Sequence, residues 1–214
     1  MRLLSSTFAL AALCSTLVLA QQRGANPSAA PAQPGPPAQA GPRGGGRGRG
    51  GIQVMTLVST AWPDGGQIPA KFTQAGDDMS PALAVSNVPQ GIASFVLIVH
   101  DVDAPIGNGT DDMLHWMLWN IPPDTTILRE GMPRGAQLPE GTRQISATGP
   151  NYRGPGAPAS GPAHHYVFEL FALDTMIDVP AVGASPPATR AAVVAAMAGH
   201  IRGKASYVGL FKRR

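Results

Sequence analysis

The sequence predicts a mostly β domain with one late α-helix, and two patterns support this class. From Ile52 onward the chain consists of short apolar runs separated by glycine and proline, a pattern typical of strands and turns. One segment near the end, from Pro187 to Ala198, is rich in alanine and stops near Gly199, as a helix does. The length of 214 residues suits one such domain with extensions.

The predicted strands follow the apolar runs in chain order. The run from Phe95 to Val99 is almost entirely apolar and β-prone, which predicts a buried strand. Turn-forming segments such as Trp62 to Gly66 and Asn87 to Gly91 separate the runs. The predicted strands are 54–60, 82–86, 94–100, 114–121, 144–148, 165–173 and 205–211. Their spacing predicts a mostly antiparallel arrangement.

The first twenty residues have the plan of a secretory signal peptide. Arg2 precedes an apolar run over residues 8–19, and Ala20 is a small residue at the expected cleavage point. The run is short for a membrane span. Cys14 is the only cysteine, and Leu13 before it argues against lipoprotein attachment. Cleavage after Ala20 would therefore give an exported protein, periplasmic or secreted, that has no disulfide.

Residues 21–51 are predicted to be a disordered linker. Proline, glycine and alanine dominate, and the segment ends in an arginine–glycine run that contains Arg43, Arg47 and Arg49. Such a segment buries too little apolar surface to offset its ordering entropy. Five arginines and no acids precede Asp64, whereas the whole chain has a net charge of +3. The chain from Asp64 onward therefore has a net charge of −2. That charge argues against a nucleic-acid-binding domain over residues 52–214.

The most informative motif is Asp101-Val102-Asp103-Ala104-Pro105, directly after the buried strand. Side chains alternate along a strand, so Asp101 and Asp103 are expected to share one face before a turn at Pro105. A strand that ends in two acids predicts a functional site. Solvated acids at a strand end would be the simpler interpretation of this motif alone.

Further motifs follow in a consistent order. His115 begins a His-x4-Asn segment, a glycine- and proline-rich loop covers residues 149–158, and His164 begins His-His-Tyr-Val-Phe. This order resembles the phosphatidylethanolamine-binding protein family, and in particular its bacterial branch, often called Raf-kinase-inhibitor-like. Supporting stretches are Ile68 to Thr73 and Ala205 to Phe211, and the resemblance covers roughly residues 54–213.

The resemblance implies a large central antiparallel sheet, a smaller sheet and peripheral helices. It also implies a small pocket that binds phosphate-like anions and the phosphatidylethanolamine head group. Carried over motif by motif, the pocket residues are Asp101, Asp103, Pro105, His115, Gly154, Pro155, His164 and Tyr166. The bacterial branch usually has Gly-Pro-Cys-Pro-Pro in the loop, whereas this chain has Gly-Pro-Gly-Ala-Pro from Gly154. The loop is therefore expected to be softer.

The chemistry of these residue types suits a zwitterionic ligand. Two ionised aspartates would repel a phosphate, so we expect them to accept hydrogen bonds from His115 and His164. This would fix the imidazole tautomers and raise the pKa of each histidine towards the charged form. Charged histidines, the Tyr166 hydroxyl and loop N–H groups would then contact the phosphate. The carboxylates would attract the ammonium group.

Several of these residues also have a purely structural interpretation. His115 could be a buried histidine that is satisfied by a backbone carbonyl. His165 follows His164 on a strand, so it faces the opposite way and is expected to be solvated. We assign no role to His100, and Asp111-Asp112 is most simply a solvated turn.

Three classes of function follow from the motifs. The favoured class is a non-enzymatic binding module that modulates a partner protein, as relatives inhibit kinases or proteases. Two aspartates and two histidines could also form a metal-dependent hydrolase, but the sequence has no compact metal-binding signature. An acid–base enzyme that uses the Asp–His pairs is the third class. The expectation is therefore a binding protein with no cofactor, metal or nucleic-acid partner.

Overall fold

The computed structural model describes residues 51–214, so the predicted signal peptide lies outside the described residues, as does the predicted linker except for Gly51. Within the described part, ten strands, one α-helix and a 3-10 turn at Ala70–Phe72 form the domain. The elements are β1 (Gln53–Val54), β2 (Thr56–Val58), β3 (Gly66–Gln67), β4 (Leu83–Ser86), β5 (Ser94–Ile106), β6 (Asp111–Ile121), β7 (Ile127–Leu128), β8 (Arg143–Ile145), β9 (His164–Leu173), α1 (Pro186–Met197) and β10 (Ile201–Phe211).

The large sheet has the strand order β1-β10-β9-β5-β6-β8, and β3 also pairs with β10. The five strands from β10 to β8 pair antiparallel, as predicted. The short β1 and β3 both run parallel to β10, so the complete sheet is mixed. A second, antiparallel sheet contains β2, β4 and β7. The predicted mostly β fold, with one large and one smaller sheet, is confirmed.

Strand β5 is the centre of the core, because both of its faces are buried. Phe95, Leu97 and Val99 belong to one apolar cluster, which also contains buried residues of the small sheet. Val96 and Ile98 belong to a second cluster, against which α1 packs. An almost continuous apolar run is what a strand covered on both faces requires.

Helix α1 confirms the predicted late helix. Ser185 is the N-cap residue and accepts a hydrogen bond from the Ala188 N–H, and Pro186 occupies the first helical position. Val193 and Met197 pack into the second apolar cluster and so attach the helix to the sheet. Gly199 has a φ of +82°, a conformation that glycine adopts readily where a helix ends.

Strand β5 is longer than predicted, and this changes the role of Pro105. The strand continues through Pro105 to Ile106, so the chain turns after Ile106. Pairing with β6 shifts between Asp101↔Met113 and Pro105↔Asp112, which leaves residues 102–104 as an irregularity in β5. A proline lacks an N–H donor and is tolerated where a ladder is irregular.

The short strands β3 and β7 were not predicted, because two residues give no periodic signal. The predicted strand at 54–60 is divided between β1 and β2, which belong to different sheets. In residues 51–214 we find no helix with the length and apolar character needed to cross a bilayer.

Candidate functional site

The two aspartates of the Asp101–Pro105 motif have different environments. Asp101 is buried, with 3% of its surface exposed, whereas the Asp103 side chain is 40% exposed. Their predicted shared face assumed a regular strand, and the irregularity at residues 102–104 breaks the alternation. Pro105 is exposed and lies opposite Asp112 of β6.

The Asp101 carboxylate is hydrogen-bonded to His164, the first residue of β9. The His164 Nδ1 lies 2.8 Å from one carboxylate oxygen and 3.1 Å from the other. Asp101 and Tyr166 are register partners on β5 and β9, so His164 and Tyr166 follow one another on the same side of β9. This carboxylate–imidazole contact agrees with the role that the sequence suggested for Asp101.

Asp103 pairs with the other histidine of the dipeptide. One carboxylate oxygen accepts hydrogen bonds from both the backbone N–H and the Nδ1 of His165, each at 2.7 Å. These bonds keep the pKa of Asp103 below its ordinary value, and the bond from the backbone N–H contributes most. Asp103 is therefore ionised at neutral pH, and His165 has a partner although more than half of its side chain is exposed.

His115 occupies a β-bulge. Register partners change from Val99↔Trp116 to His100↔Leu114, so His115 is an extra residue of β6. Its Nδ1 lies 2.8 Å from the carbonyl oxygen of Arg153 and 3.1 Å from that of Gly154. Carbonyl oxygens accept only, so Nδ1 carries the proton in the neutral ring.

The expectation that an aspartate sets the tautomer of His115 is wrong. Burial lowers the pKa of His115 below its ordinary value, because desolvation outweighs the hydrogen bond to Arg153 and the charge of Asp101. The ring is therefore neutral at pH 7. Its tautomer is fixed by loop carbonyls, as in the structural interpretation of this residue.

Tyr166 lies close to both histidines. Its ring centroid is 5.1 Å from that of His115, edge-on, and 6.5 Å from that of His164, stacked. The hydroxyl oxygen accepts the N–H groups of Gly156 at 3.2 Å and Ala157 at 3.0 Å. Burial first, and then the charge of Asp101, raise the pKa of Tyr166 to about 12. We refer to Asp101, His115, His164 and Tyr166 as the histidine cluster.

The glycine loop, residues 149–158, joins the cluster through Gly154. Its carbonyl faces His115, and its N–H donates to the Asp78 carboxylate at 2.6 Å. A Cβ at this position would lie 2.5 Å from the backbone oxygen of Phe72, so only glycine fits. Pro155 is buried, and its carbonyl accepts the Gln74 N–H at 2.9 Å.

Asp78 and Gln74 hold this loop in place, and sequence reasoning missed both. Gln74 donates from its side chain to the Gly154 carbonyl at 2.7 Å. Asp78 adopts a φ of +53°, a left-handed conformation that aspartate tolerates better than most residues. Neither residue lies within a motif, so no local signal points to them.

A second ionic group lies around His100, for which the sequence indicates no role. The His100 Nδ1 is 2.5 Å from Asp112, and the Nε2 is 3.4 Å from Glu169, a charge contact too long for a good hydrogen bond. Arg190 of α1 binds Asp112 at 2.6 Å, and Lys204 of β10 binds Glu169 at 2.6 Å. We call these five residues the ion network.

The ion network corrects the interpretation of Asp111-Asp112 as a solvated turn. Both residues belong to β6, and both bind Arg190. Burial opposes the charged form of His100, but Glu169 and Asp112 offset it and raise the pKa. The contact with His100, which is the larger cause, and the contact with Lys204 lower the pKa of Glu169 to about 2.

Within residues 51–214, we find no three histidine, cysteine, aspartate or glutamate side chains arranged to hold a metal ion. A cavity of about 960 Å³ is lined by residues between 121 and 142 and contains none of the cluster. Size alone does not define a ligand site. We place the candidate site at the histidine cluster, where donors and acceptors converge.

A large and a small sheet, with a fixed loop beside two histidines, define the fold class of this protein. A family model described as phosphatidylethanolamine-binding protein matches residues 58–212. A UPF0098 protein of Methanothermobacter thermautotrophicus is 41% identical over 161 residues, which cover 74% of this chain and 99% of the relative. The chain belongs to the phosphatidylethanolamine-binding protein family.

Solved structures agree with this assignment. CT736 of Chlamydia trachomatis, described as a homologue of phosphatidylethanolamine-binding protein, matches with a TM-score of 0.63 and 30% identity over 76% of this chain and 99% of that one. YbcL of Escherichia coli is described as a member of the mammalian phosphatidylethanolamine-binding protein family and also matches with a TM-score of 0.63. Its sequence is 27% identical, and the match covers 75% of this chain and 99% of YbcL. Both support the bacterial branch of the family.

Proposed function

We propose that this protein is an exported, non-enzymatic binding protein whose histidine cluster takes a phosphate-bearing head group such as phosphorylethanolamine. One observation carries the proposal. His115 and His164, whose rings both lie near that of Tyr166, both use Nδ1 for contacts within the protein. The Nε2 of each ring has no hydrogen-bond partner within residues 51–214 and is available to a ligand.

The charges of the cluster determine how a phosphate would bind. His115 is neutral in the free protein, so its Nε2 is a hydrogen-bond acceptor. A phosphate oxygen needs a donor, so binding draws a proton onto His115 or uses a proton that the phosphate already carries. The ionised and exposed Asp103 supplies the negative charge that an ammonium group requires.

Binding accounts for the cluster better than catalysis does. Tyr166, with a pKa of about 12, keeps its proton at neutral pH and is poorly matched to acid–base chemistry. The Asp101 carboxylate is already an acceptor for His164. Modulation of a partner protein, in the manner of the family, would then follow from ligand occupancy.

Calorimetric titration of the full chain with phosphorylethanolamine tests the proposal. His164→Gln removes the ring that pairs with Asp101, and we expect affinity to fall by about tenfold or more, the loss of one charge-assisted bond. His165→Gln is the matched control, because it replaces the adjacent histidine on the same strand. Equal affinities for the two variants, or no binding by the unaltered protein, would refute the proposal.

Export is part of the proposal and depends on the sequence of residues 1–20. Phospholipid head groups are plentiful at the bacterial envelope, so a periplasmic or secreted location would bring the protein to its ligand. Cleavage after Ala20 predicts a mature protein that begins at Gln21 and contains no cysteine.

A further inference from the structure

A recess of about 200 Å³ lies between the end of the β5–β6 hairpin and helix α1. Separate segments form its walls: the hairpin contributes Ile106 and Met113, the chain after β8 contributes Ala147, and the first turn of the helix contributes Pro186. None of the residues that line it belongs to the histidine cluster. We call this feature the hairpin recess.

The walls of the hairpin recess are mostly apolar. Leu114 is buried, Ile106 and Met113 are partly buried, and Ala147 is exposed. A dry apolar cavity of about 150 Å³ is large enough to hold one benzene molecule. The hairpin recess is of similar size, so it has room for a molecule with one ring.

The N-terminus of α1 borders the recess but offers no free amide to an anion. Pro186 and Pro187 both line the recess, and a proline has no N–H. The next two N–H groups bond to Ser185, since Ala188 donates to its side chain at 3.4 Å and Thr189 donates to its carbonyl at 2.9 Å. The helix therefore contributes proline rings to the recess instead of hydrogen-bond donors.

One carboxylate oxygen at the recess is left without a partner. The charged residues that line the recess are Asp111, Asp112 and Arg190. Asp112 uses both of its oxygens, one for Arg190 at 2.6 Å and the other for His100 at 2.5 Å. Asp111 uses Oδ1 for Arg190 and for the Asp112 N–H, whereas its Oδ2 has no hydrogen-bond partner within residues 51–214. The Asp111 side chain is 52% exposed, so a ligand can reach this oxygen.

The charges around the recess favour a cation. Two acids and one base line it, and the Arg190 guanidinium already contacts both acids. The other members of the ion network contact Asp112 or one another and do not line the recess. A carboxylate ligand would add a third negative charge beside Asp111 and Asp112, whereas an ammonium group would meet the free oxygen of Asp111.

We propose that the hairpin recess binds a small apolar primary amine, with its ring among the apolar walls and its ammonium group on Asp111. The size of the recess limits the ligand to about one ring. The free oxygen of Asp111 selects its charge. This inference goes beyond the head-group function and does not depend on it, because the two sites share no residue.

NMR titration of the full chain with benzylamine, benzyl alcohol and benzoate tests the proposal. These probes share one ring and differ in charge. We expect benzylamine to bind about two- to fivefold more tightly than benzyl alcohol, the contribution of one exposed ion pair, and benzoate to bind most weakly. Asp111→Asn should remove the difference between benzylamine and benzyl alcohol. No binding of benzylamine by the unaltered protein, or equal or tighter binding of either other probe, would overturn the proposal.

Ala147→Leu tests whether the amine occupies the recess. The larger side chain fills the recess from its exposed side, so benzylamine binding should be lost. Ala188→Leu is the matched control, because Ala188 is an exposed alanine that follows Pro187 but does not line the recess, and it should leave benzylamine binding unchanged.

The outcome of this comparison is independent of the head-group function. Loss of benzylamine binding in Ala147→Leu alone would support the recess whether or not the protein binds phosphorylethanolamine. Unchanged benzylamine affinity in Ala147→Leu, or an equal loss in both variants, would contradict the assignment of the amine to the recess.

Discussion

At the scale of single residues, His115 and His164 have different hydrogen-bond partners, although we propose that both contact one ligand. His164 bonds to a buried carboxylate, whereas His115 bonds to two loop carbonyls. Carbonyls fix a tautomer without adding a full negative charge, so burial dominates and His115 remains neutral. The cluster therefore combines one imidazole that is bonded to a carboxylate with one neutral imidazole that is bonded to carbonyls.

This difference predicts that ligand binding takes up a proton. The pKa of His115 lies below its ordinary value in the free protein, and a bound phosphate favours the charged ring. Affinity for phosphorylethanolamine should therefore fall as the pH rises from 5 to 8. In the upper part of this pH range the fall should reach up to about tenfold per pH unit. Calorimetry at pH 7.5 in buffers of different ionisation enthalpy measures the uptake directly.

His115→Gln is the companion variant for that measurement. Glutamine does not titrate, so the proton uptake should disappear even if weaker binding remains. Uptake of no proton by the unaltered protein, or unchanged uptake in His115→Gln, would contradict the role given to this ring.

At the scale of elements, irregularities in two strands shape the site. The bulge at His115 in β6 and the irregularity at residues 102–104 in β5 interrupt the same pair of strands. Bulges redirect side chains and commonly lie near functional sites. The first places His115 beside Tyr166, and the second separates Asp103 from Asp101.

The ion network joins β5, β6, β9, β10 and α1 on the other side of β5. His100 is adjacent to Asp101 in sequence, but its partners Asp112 and Glu169 belong to the network that Arg190 connects to α1. The sheet therefore has the histidine cluster on one face and an ionic attachment for its helix on the other.

This arrangement predicts a pH-dependent contribution of His100 to stability. Its pKa is raised in the folded state, so the stabilisation is fully present below the unfolded value of about 6.5 and is lost as pH rises through the folded pKa. Urea unfolding should show that His100→Gln destabilises the protein more at pH 5.5 than at pH 8.5. Glu169, with a pKa of about 2, remains ionised across this range. A pH-independent difference would contradict this account.

At the scale of the whole molecule, the sequence predicted the architecture because the apolar pattern determines it. The run from Phe95 to Val99 indicated the central strand, and Pro187 to Ala198 indicated the helix. The resemblance to the phosphatidylethanolamine-binding protein family implied a common site for His115, the loop and His164, and their contacts with Tyr166 and Gly154 show that these segments meet.

The sequence could not predict features that depend on pairing between distant segments. A register shift has no periodic signal, so the division of Asp101 and Asp103 between two histidines was missed. His100 was left without a role because its partners lie 12 and 69 residues further along the chain. Burial of His115 is also a tertiary property, and it reversed the expected direction of its pKa shift.

The most direct test of the central claim is a crystal structure of the protein with phosphorylethanolamine. We expect the phosphate within about 3 Å of the Nε2 atoms of His115 and His164, beside the Tyr166 ring, with the ammonium towards Asp103. A phosphate bound in the cavity lined by residues 121–142, or a histidine cluster that stays empty at saturating ligand, would contradict the assignment of the site.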